Sequence, residues 1–345
     1  MKNPKAPGIS VSTLTMIIVV ATFGFANVID NLVEIGLSAI PSWFLVGVLY
    51  FLPLALILAE FASDTKKTGG IYSYMERGLG EKWAFVGTWS YFVSNLMYLQ
   101  SSFSRLPVRI SLSITGTDIF ENAAILLPIF GVLLCILITC LACRGVKRFS
   151  IYADWFGRGT IALVVLLVLV PVVLVVGGWR QSATPFTTEA LIPTLDLDYF
   201  ATFSWLLFAV GGAEVAAPYV SETRNPAKDF PRAIIVSTVV IAVTYVLATV
   251  AVALLVPLSS LTLATGLYDI WEALAEMLGI QPQLFARACM IFLSGGAIAA
   301  FVVWAESPIR VMFSEVPSGT FPSSLTKSDD QGTLRNALWM QAMLV

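Results

Sequence analysis

Long apolar runs separated by short polar stretches form the main pattern along this chain. A helix needs about 20 mostly apolar residues to cross a bilayer. Eight runs are long enough, and the chain turns apolar again from Ala337 until it stops at Val345. We therefore predict an all-α membrane protein. Its spans are predicted at about 11–37, 43–62, 83–103, 123–142, 155–176, 199–220, 233–256 and 284–305.

Two predicted spans are interrupted near their middle, the first at 24–27 (GFAN) and the sixth at 209–212 (AVGG). Inside a bilayer, backbone groups freed by a break need partners within the protein or in a water-lined cavity. The breaks therefore predict discontinuous helices around a binding site, as in many secondary transporters. A packing notch beneath another helix is the alternative. Glu214, two residues after the glycine pair, favours the site, because acids inside a membrane are usually functional.

The positions of the two breaks indicate an internal repeat. Five spans begin with the first break, and a second set begins with the other. Because five is odd, the second set crosses the membrane in the opposite sense, which is the arrangement of an inverted repeat. We predict a single transmembrane transporter domain over 1–345, with a first repeat at about 11–177 and an incomplete second repeat at about 198–345.

Composition supports this class, since 57% of the 345 residues are hydrophobic and only 12% are charged. Soluble domains carry about 25% charged residues. The chain has no histidine, which excludes histidine proton relays, histidine metal sites and histidine-dependent catalytic triads. Cysteine in such apolar surroundings behaves as a small hydrophobic residue, so we predict no zinc site. The four cysteines are Cys135, Cys140, Cys143 and Cys289.

Basic residues predict the orientation, because Lys and Arg concentrate on the cytoplasmic side. A cytoplasmic N-terminus places most of them inside and four outside, with Arg158 in the fifth span near its inner end. The inner residues are Lys2, Lys5, Lys66, Lys67, Arg77, Lys82, Arg144, Lys147, Arg148, Arg224, Lys228, Arg232, Arg310, Lys327 and Arg335. The outer residues are Arg105, Arg109, Arg180 and Arg287. The inner loop at 66–82 is read either as a short interfacial helix at 71–77, with aromatic residues in the headgroup layer, or as an ordinary basic loop.

Two opposed broken helices offer complementary backbone groups at the middle of the membrane. Free N–H groups at half-helix N-termini attract a carboxylate. Free carbonyls at the ends of the preceding halves attract an ammonium group or a cation. An α-amino acid carries both charges at a fixed spacing, so it is the simplest ligand for this arrangement.

Several side chains near the breaks have two open interpretations. Asn27 is predicted to cap the second half of the first span, with Asp30 as its capping partner. Asp30 either lies inside the membrane in a functional role or lies in water at the outer mouth. Glu214 is either a structural anion stabilised by the helix dipole or a gating or proton-coupling group. Arg158 either replaces a sodium ion or extends to the nearby cytoplasmic face.

Aromatic residues near the breaks are a further open point. They either wall a substrate pocket or pack against lipid and neighbouring helices. These residues are Phe23, Phe25, Trp205, Phe208 and Trp304.

Three blocks resemble the amino acid–polyamine–organocation (APC) superfamily of permeases. They read GGIYSYMERGLGEKWAFVGTWSYF at 69–92, GGAEVAAPYVSETRNPAKDFPRAI at 211–234 and ESPIRVMFSEVPSGTFPSSLTKSDDQGTLRNALWMQ at 306–341. The last block looks most like the glutamate/GABA antiporter branch. The resemblance implies a twelve-span carrier with a LeuT-like fold, which contains a five-plus-five inverted repeat and transports by alternating access. It places substrate at the two breaks. The expected substrate-binding residues are Phe25, Ala26, Asn27, Phe208, Gly211 and Gly212.

Two features depart from the family pattern. The first break lacks the glycine-serine-glycine of many relatives, and the chain stops where the ninth span begins, so the last spans are expected to be missing.

Asp30, Glu214 and Arg158 are the expected gating or proton-coupling residues. We expect an amino acid antiporter in the cell membrane that binds an amino acid or amine and lipid, but no nucleic acid or cofactor. A channel or amino acid sensor on the same scaffold is the alternative; an enzyme is not expected, and oligomeric state stays open.

Overall fold

The computed structural model describes residues 9–63, 70–121, 123–329 and 332–345. Lys2, Lys5, Lys66 and Lys67, on which part of the predicted orientation rests, lie outside these ranges. The α-helices are α1 Val11–Thr22, α2 Phe25–Ile35, α3 Ala39–Val46, α4 Leu52–Ser63, α5 Ile71–Leu79, α6 Glu81–Thr115, α7 Leu126–Ala142, α8 Val146–Val176, α9 Thr188–Leu191, α10 Leu197–Val210, α11 Pro226–Leu255, α12 Gly266–Leu278, α13 Pro282–Arg310, α14 Ser323–Thr326 and α15 Arg335–Leu344.

Shorter helical turns of other types join several of these helices. The 3₁₀-helices are Gly36–Ser38, Ala213–Glu222 and Leu258–Ser260, and the π-helices are Gly47–Phe51 and Val311–Glu315. The π-helix between α3 and α4 makes the second predicted span continuous. In the described part of the chain, β-pairing is limited to one bridge between Ile9 and Thr223.

The predicted spans correspond to these helices. Five helical segments within the described ranges are long and apolar enough to cross a membrane: Val11–Phe61, Phe149–Val176, Leu197–Tyr219, Pro226–Leu255 and Pro282–Glu315. The first segment contains two predicted spans, and the fourth predicted span is the shorter apolar helix α7. The third predicted span lies within α6, a helix of 35 residues that has one polar face. The chain is thus a multi-pass membrane protein.

Both predicted helix breaks are present. Between α1 and α2, Phe23 and Gly24 have extended backbones, with φ/ψ of −78°/109° and −107°/110°. After α10, Gly211 is extended and Gly212 has a φ of 140°. The sixth span then continues as the 3₁₀-helix Ala213–Glu222 instead of an α-helix, and Pro218 lies within it. Since proline lacks an N–H group and crowds the preceding turn, it disfavours an α-helix there.

The first half of the first broken span lies at the centre of the molecule. α1 packs against α8, α11 and α13, while α6 packs along α13 and α11 packs along α4. Leu14, Ile17 and Ile18 of α1 are completely buried. Large apolar side chains on α7 and α8, such as Leu133 and Val165, are exposed and form the surface expected to face lipid.

The helix α12 lies outside the predicted spans and packs against the bundle. α12 buries Ile270, Trp271 and Leu274 and packs on α13. Its Trp271 ring lies 5.6 Å from the Phe25 ring, so α12 covers one side of the first break.

Asp196 caps α10 by accepting a hydrogen bond of 2.8 Å from the Tyr199 N–H, and this bond lowers the pKa of Asp196.

The short helix expected at 71–77 is observed as α5, and it packs against α6. The Glu315 carboxylate accepts hydrogen bonds from the N–H groups of Gly70 and Ser73 at the start of α5. A Cβ on Gly70 would overlap that carboxylate. The aromatic residues of this helix are buried against other helices. Tyr72 packs with Ala84 of α6 and with Val311, and Tyr74 is stacked on Phe61 of α4.

Candidate functional site

A cavity of about 430 Å³ lies where the two breaks meet, and we call it the central cavity. Five of the six predicted substrate-binding residues line it: Phe25, Ala26, Asn27, Phe208 and Gly211. All five aromatic residues of the sequence analysis also line it, with Tyr98 and Phe301 in addition. The gap after α1, the gap after α10 and the polar face of α6 thus line one common cavity.

The Tyr245 hydroxyl joins the two breaks. It accepts hydrogen bonds from the Gly24 N–H and the Asn27 side-chain amide, both at 3.1 Å. Its own proton is shared between the carbonyl oxygens of Thr22, at 3.2 Å, and Ala209, at 3.4 Å. The ring is fully buried and is stacked on Trp43 at 4.0 Å between centroids. One side chain of α11 therefore satisfies backbone groups of both broken spans.

The N-terminus of α2 has free donors at the central cavity. Gly24 is its N-cap residue and has no side-chain capping bond. Within the described residues, the backbone N–H groups of Phe25 and Ala26 have no hydrogen-bond partner. The positive end of a helix with free N–H groups is an anion-binding site.

The second break is different, because a protein carboxylate already lies there. Glu214 Oε2 accepts a hydrogen bond of 2.9 Å from the Gly212 N–H, and the carboxylate also accepts from the Glu214 N–H. Glu214 lines the central cavity, and no salt bridge to it is found in the described part of the chain. Of the two breaks, the first is thus the one with room for an external carboxylate.

Further polar atoms in the cavity wall lack partners. The Thr22 and Ser294 hydroxyls and the Asn95 side-chain carbonyl are buried and unbonded within the described residues. Trp304 donates a hydrogen bond of 2.8 Å to the Ala21 carbonyl and so satisfies one free acceptor at the end of α1. Buried polar groups are normally hydrogen-bonded, so the three unbonded atoms indicate places for a polar ligand.

A second cavity of about 590 Å³ adjoins the first at the C-terminal ends of α2 and α6. We call it the vestibule; it shares Ala26, Arg105 and Arg109 with the central cavity. Arg105 Nη1 lies 3.3 Å from Asp30 Oδ2 and forms an ion pair that crosses between the two helices. Asp30 therefore lies at a mouth of the cavity and not at the break itself.

Comparison with known proteins identifies the group to which this chain belongs. A family profile described as "Amino acid permease" matches residues 9–345. The chain belongs to the amino acid permease family. It is therefore an APC permease and an amino acid transporter, and not an enzyme.

Individual relatives show the extent of the match. The aspartate/glutamate permease AcaP of Lactococcus lactis subsp. cremoris is 26% identical over 94% of this chain and 68% of its own length. The inner membrane transporter YjeM of Salmonella typhimurium is 28% identical over 96% and 72%. The glutamate/gamma-aminobutyrate antiporter of L. lactis subsp. cremoris is 23% identical over 87% and 60%.

A solved structure shows the same fold. The crystal structure of MhsT in complex with L-phenylalanine superposes with a TM-score of 0.67 at 16% identity, covering 99% of the permease and 79% of that chain. This likeness places the permease among proteins with the LeuT-like fold.

The predicted capping box of the permease is wrong. Asn27 lies inside α2, where its side chain donates to Tyr245 and does not accept from the N–H groups of the first helical turn, as a cap would. Asp30 pairs with Arg105, and the carbonyl of Asn27 accepts from the Asn31 side chain. The sequence could not show this, because the helix begins at Phe25 and Tyr245 is distant along the chain.

Gly212 does not line the central cavity, although it adjoins it. A Cβ there would come within 2.6 Å of Thr22 Oγ1 and 3.2 Å of Trp304 Cζ2, and the φ of 140° suits only glycine. The residue allows the two broken spans to approach closely.

Arg158 lies away from the central cavity. It binds the Asp154 carboxylate through two nitrogens, at 3.0 and 3.1 Å, and donates to Ser12 Oγ at 2.6 Å. These bonds join the N-terminal part of α8 to the start of α1. Its side chain is 56% exposed, which fits an extended cation near the surface.

A buried ionic cluster lies on the same side of the permease. Tyr219 donates a hydrogen bond of 3.1 Å to Glu306, which forms a 2.8 Å ion pair with Arg310. The Arg310 guanidinium also lies 5.2 Å from the centre of the Tyr219 ring. The cluster connects the second half of the sixth span to the end of α13.

Sequence reasoning missed Tyr245 and the polar face of α6. The polar face of α6 could be read from the sequence, because its polar residues recur every three or four positions and so lie on one side of a helix. They are Tyr91, Ser94, Asn95, Tyr98, Ser101, Ser102, Arg105 and Arg109. Tyr245 had no comparable signal, because a lone tyrosine in an apolar span is also common as a packing residue.

Proposed function

We propose that the permease is a secondary active transporter that exchanges one amino acid for a related amino acid or amine by alternating access. The observation that carries the proposal is the uncapped N-terminus of α2, which opens into the central cavity. A substrate carboxylate at the Phe25 and Ala26 N–H groups would complete the turn in the way a capping residue does.

The rest of the cavity suits the remaining parts of an amino acid. The Thr22 hydroxyl and the Glu214 carboxylate are acceptors for an ammonium group. The aromatic residues supply apolar contact for the carbon chain. Tyr98 illustrates this, because its ring lies 5.9 Å from Phe208 and 5.2 Å from Trp304.

Alternating access requires that the cavity be closed on one side at a time. In the orientation that we propose, with the N-terminus in the cytoplasm, the vestibule faces outward. The Tyr219–Glu306–Arg310 cluster then closes the inner side. The names of two relatives, an inner membrane transporter and an antiporter, support a cell-membrane location and exchange.

Exchange is tested with the purified chain in proteoliposomes. Vesicles are loaded with an unlabelled amino acid, and the uptake of labelled substrate is followed for a panel of amino acids and amines. We expect saturable uptake that depends on the internal substrate. Empty vesicles with the same protein content are the control.

Each other outcome argues against exchange in its own way. Uptake that is equally fast into empty vesicles would contradict coupling between the two directions. Binding without flux would indicate a sensor, and flux that does not saturate would indicate a channel.

A further inference from the structure

Two arginines occupy the end of the α6 face that lines the central cavity. Arg105 and Arg109 are one helical turn apart, beyond Tyr98. Long side chains on a helix lean toward its N-terminus. Since α6 runs toward the vestibule, this rule directs arginine side chains near its end back toward the breaks. They line the central cavity as well as the vestibule, so a ligand at the breaks lies within their reach.

The two arginines differ in their partners. Arg105 forms the 3.3 Å ion pair with Asp30, the acid whose charge acts most strongly on Arg109. Within the described ranges, Arg109 makes no hydrogen bond and no ion pair within 4.0 Å. One carboxylate therefore serves two guanidinium groups.

The other acidic residues of the vestibule do not supply a carboxylate partner for Arg109. Glu34 is exposed, and Asp118 accepts a hydrogen bond of 2.9 Å from the Phe120 N–H. Neither lies within ion-pair distance of Arg109 in the described structure. Arg109 is half-buried, and a cation that has lost part of its hydration without gaining a partner is unfavourable, so Arg109 is poised to bind an anion.

The central cavity is thus positive at two places, the N-terminus of α2 and Arg109. We propose that Arg109 binds the side-chain carboxylate of a dicarboxylic amino acid whose α-carboxylate lies at the N-terminus of α2. The inference rests on the proposed function and specifies its substrate class as acidic amino acids. A guanidinium group matches a carboxylate with two parallel hydrogen bonds. A diamine, in contrast, would bring a second cation toward Arg109.

Binding to the purified chain in detergent tests this inference without transport. Calorimetry with L-glutamate and L-aspartate is compared with their neutral counterparts L-glutamine and L-asparagine, and with agmatine. A hydrogen-bonded charge pair predicts that the acidic ligands bind about 10- to 100-fold more tightly than the neutral ones. Equal affinity for glutamate and glutamine, or a preference for agmatine, would overturn the proposal.

Variants of Arg109 test whether this residue causes the tighter binding of acidic amino acids. Arg109→Gln is expected to weaken glutamate binding by about 10- to 100-fold while changing glutamine binding by less than about threefold. Arg109→Lys keeps the charge without the two-pronged geometry and is expected to fall between. Arg180→Gln, on an exposed loop, is the matched control. Equal loss of both ligands in Arg109→Gln would show that Arg109 supports the site only structurally.

Variants of the Arg105–Asp30 ion pair provide a second, independent test of Arg109. In Arg105→Gln, Asp30 loses its partner and is expected to compete with the ligand for Arg109, which weakens glutamate binding by about tenfold. Adding Asp30→Asn removes the competitor and is expected to restore binding. Failure of this restoration would contradict the assignment to Arg109. If the unmodified chain bound no amino acid at all, the proposed function would fail instead, whereas tight binding of neutral amino acids would remove the acidic-substrate inference alone.

Discussion

Tyr245 shows how a single hydroxyl group stabilises two interrupted helices. Both breaks leave backbone groups that lipid cannot satisfy. The hydroxyl accepts two hydrogen bonds and donates one, which is its full capacity. The same groups face the central cavity, so stability and binding depend on one residue.

Replacing Tyr245 with phenylalanine tests this. The change leaves the Gly24 N–H and the Asn27 amide without a partner, and we expect it to lower the free energy of unfolding by about 1–3 kcal/mol. Thermal or chemical unfolding in detergent measures it. Tyr152→Phe is the control, because Tyr152 is exposed on α8. Equal stability of the two variants would show that water or rearrangement satisfies the breaks.

Gly212 is the second residue on which the close approach of the breaks depends. Gly212→Leu places a side chain against Thr22 and Trp304 at a φ of 140°, and we expect loss of substrate binding with normal membrane insertion. Gly178→Leu is the matched control, since Gly178 has a φ of 73° with nothing within 4 Å. Unchanged binding in Gly212→Leu would mean that the site lies elsewhere.

At the scale of elements, the half-spans are held at their ends by polar contacts. Arg158 and Ser12 fix the start of α1, and the Tyr219–Glu306–Arg310 cluster fixes the second half of the sixth span. Movement of these halves between outward and inward states would require such contacts to break and form again. They are therefore where the coupling between conformation and substrate is expected.

The cluster gives a prediction at this scale. Glu306 and Arg310 are 2% and 11% exposed, so Glu306→Gln removes the carboxylate charge that lies 2.8 Å from a buried cation. We expect destabilisation by about 3–5 kcal/mol, with faster hydrogen exchange in 213–222. The double variant Glu306→Gln, Arg310→Met should be less destabilised than the single one. If the double variant is the less stable of the two, the pair is not the source of the effect.

At the scale of the whole molecule, the basic residues predict that the N-terminus is cytoplasmic, and cysteine labelling tests this orientation. With the four native cysteines replaced by serine, single cysteines introduced at the exposed positions Glu81 and Glu189 are expected to differ in intact cells. A membrane-impermeant maleimide should label Glu189→Cys on the outside and reach Glu81→Cys only after the cells are opened. The reverse labelling pattern would invert the vestibule and the closed side.

Local chemistry was sufficient to predict the spans and both breaks. Apolar length, glycines at mid-span and low charge act on neighbouring residues, so they can be read along the chain. This is why the helices and the interruptions near Gly24 and Gly211 agree with expectation. The 3₁₀ form of the sixth span's second half was not anticipated, although Pro218 was visible.

The partners of each polar side chain were decided by the tertiary structure. Asn27 and Tyr245 are more than two hundred residues apart, and Asp30 is joined to Arg105 across two helices. Which of several polar groups meet depends on how α2, α6 and α11 pack, and packing depends on the whole set of apolar contacts. The sequence alone therefore determined that the chain crosses the membrane with two broken spans, while packing determined what those breaks present to a ligand.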